Sequence, residues 1–175
     1  MCALDVRPAI GTDRLILRGP AMADAPAVAG LCNDLGVAAM VAAMPHPYTL
    51  ADAEAFLAKA RAPDLRRGHG FAIEHRQFGL IGMLGFKDVE PGRAEVGYWL
   101  GRPFWNRGYA TEALEAALGW VRAEWRRGAL WAGHFADNRA SGQVLVKAGF
   151  LYTGDVEPRP CLARGGAVVP TRMMV

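Results

Sequence analysis

The chain has little of what would staple or metallate a fold. Its only three cysteines, Cys2, Cys32 and Cys161, are odd in number and widely spaced, which excludes a full disulfide framework and any paired metal-ligand spacing. His46, His69, His75 and His134 never fall into an HxxxH or HxH pattern, so no metal site is expected. No long apolar run is present. The longest, Gly36 to Met44, is less than half of the roughly 20 residues that a membrane span needs. Charged residues make up 21% of the 175 and leave a net charge of +3, with no dense basic stripe interleaved with aromatics. Direct nucleic-acid binding is therefore not expected, although Arg61, Arg66, Arg67, Arg126 and Arg127 form a basic scatter that reads as a solvated face. The segment Met1 to Pro8 lacks a charged start and an apolar core, and with so few cysteines a reducing cytoplasm is the expected compartment. Repeats and low-complexity linkers are also missing.

What is present is an ordinary globular composition, 52% hydrophobic, over a length that suits one domain spanning 1–175. Leu15 to Leu17 reads as a first strand. Asp24 to Leu31 and Leu35 to Met44 read as short helices, and Thr49-Leu50-Ala51-Asp52 opens another in the form of a capping box, ending near Pro63. Phe71 to His75, Leu80 to Lys87 and Arg93 to Leu100 alternate as strands of an antiparallel meander, with turns at Gly79 and Pro91-Gly92. A helix follows Gly108, its apolar face built from Ala110, Ala113, Leu114, Ala117, Leu118, Val121 and Trp125, and Gly128 is the expected stop. Ala129 to Phe135 is a further strand and Asn138 to Ala148 a further helix, closed by Gly149. Phe150 to Thr153 and Ala167 to Met174 complete a hairpin. The order predicts an α/β (α+β) mixed sheet of six to seven strands with about four helices.

One segment carries chemistry. Ala94 to Leu100 is a strand, and Trp105-Asn106-Arg107-Gly108-Tyr109-Ala110-Thr111-Glu112-Ala113 is a glycine turn running into a helix start. Strand, turn and helix start together gather unpaired N–H groups at the positive end of a helix dipole, which makes an anion site. Arg102 and Arg107 flank it, and a phosphate-bearing cofactor is the expected ligand.

Four segments in this order, "TDRLILR" at 12–18, "AEVGYWLG" at 94–101, "WNRGYATEA" at 105–113 and "NRASGQVLVKAGF" at 138–150, resemble the GNAT-superfamily N-acetyltransferases, and in particular their RimJ/RimL-like ribosomal-protein branch. The resemblance covers nearly the whole chain. It implies a GNAT-like fold with a splayed central strand pair, near Leu100 and Phe135, and acetyl-CoA as co-substrate. It places the pyrophosphate on the amides of Arg107, Gly108, Tyr109, Ala110 and Thr111, and the pantetheine along Tyr98, Trp99 and Leu100. Asn138 would face the cofactor arm, Ser141 would lie near the sulfur, and Arg102 and Arg139 could reach phosphates. The chain departs from the superfamily pattern at Leu145, where many members carry a tyrosine as general acid.

The reaction that the resemblance implies is direct transfer of an acetyl group to a primary amine, with a protein or peptide N-terminal α-amine as the acceptor of this branch. Small-molecule amines and a non-catalytic acyl-CoA-binding module are the alternatives. Glu95, a carboxylate inside an apolar strand, is the candidate base, or else it pairs with Arg93 or Arg76 on the sheet surface. His134 is the second candidate. Ser141 is the candidate proton donor to the departing thiolate, or a first-turn serine bonding backbone or pantetheine. Family habit allows a monomer or a homodimer.

Overall fold

The computed structural model describes residues 9–61 and 67–175. Cys2, the segment Met1 to Pro8 and the helix stop expected near Pro63 lie outside the described residues. Among the described residues, eight strands form one sheet in the order β1-β2-β3-β4-β5-β6-β8-β7. They are β1 (Ile10–Gly11), β2 (Leu15–Arg18), β3 (Gly68–His75), β4 (Gly79–Glu90), β5 (Arg93–Leu100), β6 (Leu130–Phe135), β7 (Tyr152–Cys161) and β8 (Ala167–Met174). Five α-helices accompany them: α1 (Ala25–Cys32), α2 (Leu35–Ala38), α3 (Leu50–Arg61), α4 (Tyr109–Trp120) and α5 (Arg139–Lys147). The mixed α/β class is as expected, with the sheet one strand and the helices one segment richer.

Alternation decides the two faces of the sheet. Val96 and Leu100 of β5, Leu84 and Phe86 of β4, and Ala132 of β6 pack with Leu114, Leu118 and Leu145 under α4 and α5. Met83 and Trp99 point the other way, into the layer of α1 to α3 with Val28, Val37 and Leu57. The meander β3–β4–β5 is antiparallel, as predicted, and β5 meets β6 in the sheet's parallel pair. The capping box of α3 is in place: the Thr49 amide donates to the Asp52 carboxylate at 2.8 Å, and the Asp52 amide donates to Thr49 Oγ1 at 3.2 Å.

Three elements depart from the sequence reading, each for a tertiary reason. The helix expected from Leu35 to Met44 ends at Ala38. Beyond it the carbonyls turn toward the β7–β8 hairpin: Arg164 Nε donates to the Ala39 carbonyl at 2.8 Å and the Leu162 amide to the Ala42 carbonyl at 3.0 Å. The helix after Gly108 does not run regularly to Gly128. It widens into a π-turn over Val121–Trp125 and stops at Arg126, which is left-handed with φ of 52°. The extra residue turns Trp125 inward onto Phe86 and Trp120, with ring centroids at 5.9 and 6.5 Å. Finally, β7 runs to Cys161, far beyond Thr153, despite Pro158 and Pro160. It is the outermost strand, where a residue without an N–H can face away from the ladder.

Candidate active site

The parallel pairing of β5 with β6 lasts only from Ala94↔Leu130 through Val96↔Ala132. Past that point the strands diverge, so Gly97 to Leu100 keep β4 on one side and have an opening on the other. The Gly101 amide donates to the Ile81 carbonyl at 2.9 Å, so the alternation of an antiparallel ladder also turns Trp99 and Gly97 to β4. Tyr98 and Leu100 therefore direct their backbone groups into the opening. The indole N–H of Trp105 takes the Leu100 carbonyl at 2.8 Å, which leaves the two N–H groups as the donors of this wall.

The turn below the opening is held in a shape that few residues adopt. Asn106 has φ of 58° and Gly108 of 79°, both left-handed, and α4 then begins at Tyr109 without a side-chain cap. Among the described residues, the amides of Arg107, Gly108, Tyr109, Ala110 and Thr111 find no acceptor in the protein, whereas the Glu112 amide bonds the Gly108 carbonyl. The acidic residue of this first turn does not compete for the donors. Glu112 accepts from Thr12 Oγ1 at 2.6 Å and Arg14 Nε at 2.7 Å, and Arg14 Nη1 also takes the Arg107 carbonyl at 2.9 Å. Burial would raise the Glu112 carboxyl, but Thr12 and Arg14 outweigh it and hold it low. Five unclaimed amides at a helix start, with the nearby carboxylate neutralised, fit a pyrophosphate.

Turn, splayed strands and the first turn of α5 line a cleft of about 1630 Å³, walled on the far side by α2, α3 and the segment between them. Tyr98, Trp99, Leu100, Arg102, Gly108, Tyr109, Ala110, Thr111, Asn138 and Ser141 all line it. Their roles differ. The Trp99 side chain packs against the α1–α3 layer. Tyr109 is buried, with the Arg14 guanidinium 4.5 Å from its ring centre. Arg107 is exposed and contributes its carbonyl to Arg14. Arg102 is not a loose cation. It forms a two-bond ion pair with Asp34, the cap of α2, with Nε to Oδ2 at 2.7 Å, and this holds the Asp34 carboxyl down to about 2. Asn138 caps α5 by accepting the Ser141 amide at 3.2 Å.

Glu95 lines the same cleft and is buried, but its partner is neither Arg93 nor Arg76. Arg159 of β7 reaches across and donates Nη1 to Oε1 at 2.5 Å and Nη2 to Oε2 at 2.9 Å. Arg159 also bonds Glu157, and Glu157 bonds Arg93, so the charges alternate from β5 out to β7 and back to β5. The first of these bonds, to Glu95, is the main reason that the Arg159 guanidinium is raised, and Arg93 followed by Arg159 lowers the Glu157 carboxyl. His134 projects toward α5. Its Nδ1–H bonds the Phe135 carbonyl at 2.8 Å and its Nε2 meets the Tyr152 hydroxyl at 3.0 Å. Gly142 of α5 rests on this pair, and a Cβ there would stand 2.8 Å from both Nε2 and the Tyr152 oxygen.

Leu145 is 1% exposed and belongs to the core under α4. A phenol nonetheless stands beside Ser141: Tyr98 Oη lies 2.9 Å from Ser141 Oγ and 3.1 Å from the Ser141 carbonyl. Burial pushes this phenol up to about 12, against the lowering effect of the Ser141 bond. Sequence reasoning missed Arg159 and Glu157, whose x-Glu-Pro-Arg-Pro setting hides a strand, and it read Tyr98 for its backbone alone.

The fold and cleft define an acyltransferase of the acetyl-CoA-using class, and comparison with known proteins agrees. The family model described as "Acetyltransferase (GNAT) domain" matches residues 14–151, so the chain belongs to that family. It is an acetyltransferase, with acetyl-CoA as co-substrate. The uncharacterized N-acetyltransferase YoaA of Bacillus subtilis is 29% identical over 151 residues, 84% of this chain and 85% of that one. Solved structures that share the fold include two acetyltransferases. One is the microcin C7 self-immunity acetyltransferase MccE in complex with acetyl-CoA and AMP (TM-score 0.83, 18% identity, 98% of this chain and 97% of that one). The other is RimL, a ribosomal L7/L12 alpha-N-protein acetyltransferase in complex with coenzyme A (TM-score 0.79, 20% identity, 95% and 96%). Among the described residues, no helix is long and apolar enough to cross a membrane.

Proposed function

We propose that this acetyltransferase acts on α-amines at protein or peptide N-termini. The observation that supports the reading is that, among the described residues, every carboxylate lining the cleft is already held. Glu95 is held by Arg159, Asp137 by Arg164 at 2.7 Å, and Asp52 by the cap of α3. Among the described residues no unclaimed carboxylate stands by to take a proton from an ammonium group, which favours an acceptor that arrives neutral. An α-amine titrates near 7.7–8.0 and an alkylamine near 10.4, so at pH 7 the neutral fraction of the former is about 300-fold larger. The alpha-N-protein activity named for RimL lies in the same direction.

In this reading acetyl-CoA supplies an acetyl thioester when bound, and the chain positions it. The amides of Arg107 through Thr111 take the pyrophosphate, and Tyr98 and Leu100 line the pantetheine arm. Their splayed N–H groups also stabilise the oxyanion, a contribution of roughly 3–4 kcal/mol where such donors have been removed in other enzymes. Asn138 faces the cofactor arm and fixes Ser141, whose hydroxyl gives a proton to the departing sulfur. Glu95, with both oxygens on Arg159, is part of a fixed polar wall beside the acceptor nitrogen. Transfer is direct, without an acyl-enzyme.

The test is a panel of acceptors at pH 7: peptides with a free α-amine, N-terminally blocked peptides with one lysine, and small alkylamines. The α-amine peptides are expected to react on the order of 10² faster, with the gap narrowing as pH rises toward 10. Equal or faster reaction of the lysine peptides or small amines at pH 7 would move the acceptor out of this class.

A further inference from the structure

We propose that Tyr98 is a positioning residue for Ser141, supplying from β5 the phenol that the last motif lacks at Leu145. The inference rests on the proton-donor role given to Ser141 above.

The geometry allows two hydrogen arrangements without moving a heavy atom. The Ser141 carbonyl can only accept, so the single phenol hydrogen goes either there, at 3.1 Å, or to Ser141 Oγ, at 2.9 Å. With the hydrogen on the carbonyl, the serine hydroxyl donates back to Oη and its proton is turned away from the cleft. With the hydrogen on Oγ, the serine's own proton is released toward the cleft, which both residues line. A first-turn serine without such a partner tends to fold its hydroxyl back onto a carbonyl of the preceding turn. Tyr98 opposes that, and the Asn138 cap fixes the Ser141 backbone from the other side.

The proton count closes without an external acid or base. As the carbon–sulfur bond breaks, its electron pair goes to sulfur, which takes the Ser141 proton. The acceptor nitrogen, acidic once it has attacked, returns a proton to Oγ. Tyr98 keeps its own proton throughout, and its phenol, held up to about 12 chiefly by burial, remains a donor across the working range. A neutral hydroxyl pair of this kind suits a cleft whose carboxylates, among the described residues, are all committed.

The test compares wild type, Tyr98→Phe, Ser141→Ala and the double variant, using acetyl-CoA and an α-amine peptide, with kcat and KM measured separately. Tyr98→Phe is expected to lower kcat about 10- to 100-fold with KM for acetyl-CoA within about twofold, a part of the 10²–10⁴ typical of proton transfer. The double variant should be no slower than the slower single variant, because the two hydroxyls act as a unit. The defect should shrink toward unity with an aryl acetyl thioester, whose leaving group needs no proton. A wild-type kcat in Tyr98→Phe, multiplicative losses, or the same defect with both donors would overturn the proposal. Calorimetric acetyl-CoA affinity checks that Tyr98→Phe is folded, and if it is not, Ser141→Ala against the two donors carries the test. A wild type that acetylates no amine at all would instead refute the transfer reading itself.

Discussion

Replacing Arg159 with methionine removes the partner of a buried carboxylate while keeping most of the apolar stem. Glu95 has a side chain only 10% exposed, whereas Arg159 is 26% exposed and can be reached by water at its rim. Breaking a fully buried pair from one side costs about 3–5 kcal/mol, because the remaining charge has neither solvent nor partner. Partial exposure of the guanidinium places this pair at the lower end, so Arg159→Met should destabilise the protein by about 3 kcal/mol. For a chain of this length that corresponds to a fall in Tm of roughly 6–12 °C. Glu157 is little affected in the variant because it keeps Arg93 at 2.7 Å. Glu95→Gln should cost less, about 1–2 kcal/mol, since an amide still accepts from Arg159. The double variant should cost less than the two singles together, because no charge is orphaned; a coupling of about 1–2 kcal/mol is expected. Urea unfolding of the four proteins measures the cycle. Arg159→Met within 0.5 kcal/mol of wild type (about the ordinary surface-substitution range), or strict additivity, would show that the pair is solvated and that Glu95 is not committed to Arg159.

Two further predictions concern the turn and the phenols. Gly108→Ala places a Cβ on a residue with φ of 79° and 3.3 Å from Arg14 Nη2. The left-handed conformation alone costs about 1–2 kcal/mol, so acetyl-CoA affinity measured by calorimetry should fall about tenfold if the turn relaxes; unchanged affinity and Tm would refute the anion cradle. Of the four tyrosines, Tyr48 and Tyr98 are both pushed up to about 12, chiefly by burial. A raised folded-state value means that the stability contribution is complete below the unfolded value near 10 and is lost as pH rises from 10 to 12. Phenolate absorbance of the folded protein should therefore show a late-titrating component that Tyr98→Phe reduces by about half, and a single early transition would contradict the burial of Tyr98.

The parts of the structure that were legible in the sequence are those built by neighbours along the chain. Thr49 with Asp52 and Gly108 before Tyr109 are local capping and turn chemistry, and each appears where its spacing placed it. The strand expected from Arg93 to Leu100, after the Pro91-Gly92 turn, is β5 with the same limits. The misreadings came from distant partners. Nothing near residue 39 signals that Arg164 will take its carbonyl and end α2, and nothing near Trp125 signals that Phe86 will draw it inward and widen the helix. The two prolines of β7 are unfavourable to a strand everywhere except at the edge of a sheet, and edge position is a property of topology that no local window contains.

The same division runs through the active site. In the proposed mechanism cofactor recognition falls to backbone amides, whose positions follow from a strand, a left-handed turn and a helix start, so a short segment of sequence suffices to read it. The polar side chains beside it are instead held by pairs separated by 43 and 64 residues, Tyr98 with Ser141 and Glu95 with Arg159. A motif can therefore lose its phenol at Leu145 and the cleft still have one, because Tyr98 brings a hydroxyl to Ser141 from another element. The β5 splay exposes a strand residue beside the first turn of α5. Loss of a motif residue on one element is thus weak evidence against catalysis until the neighbouring elements have been searched for a group of the same chemistry.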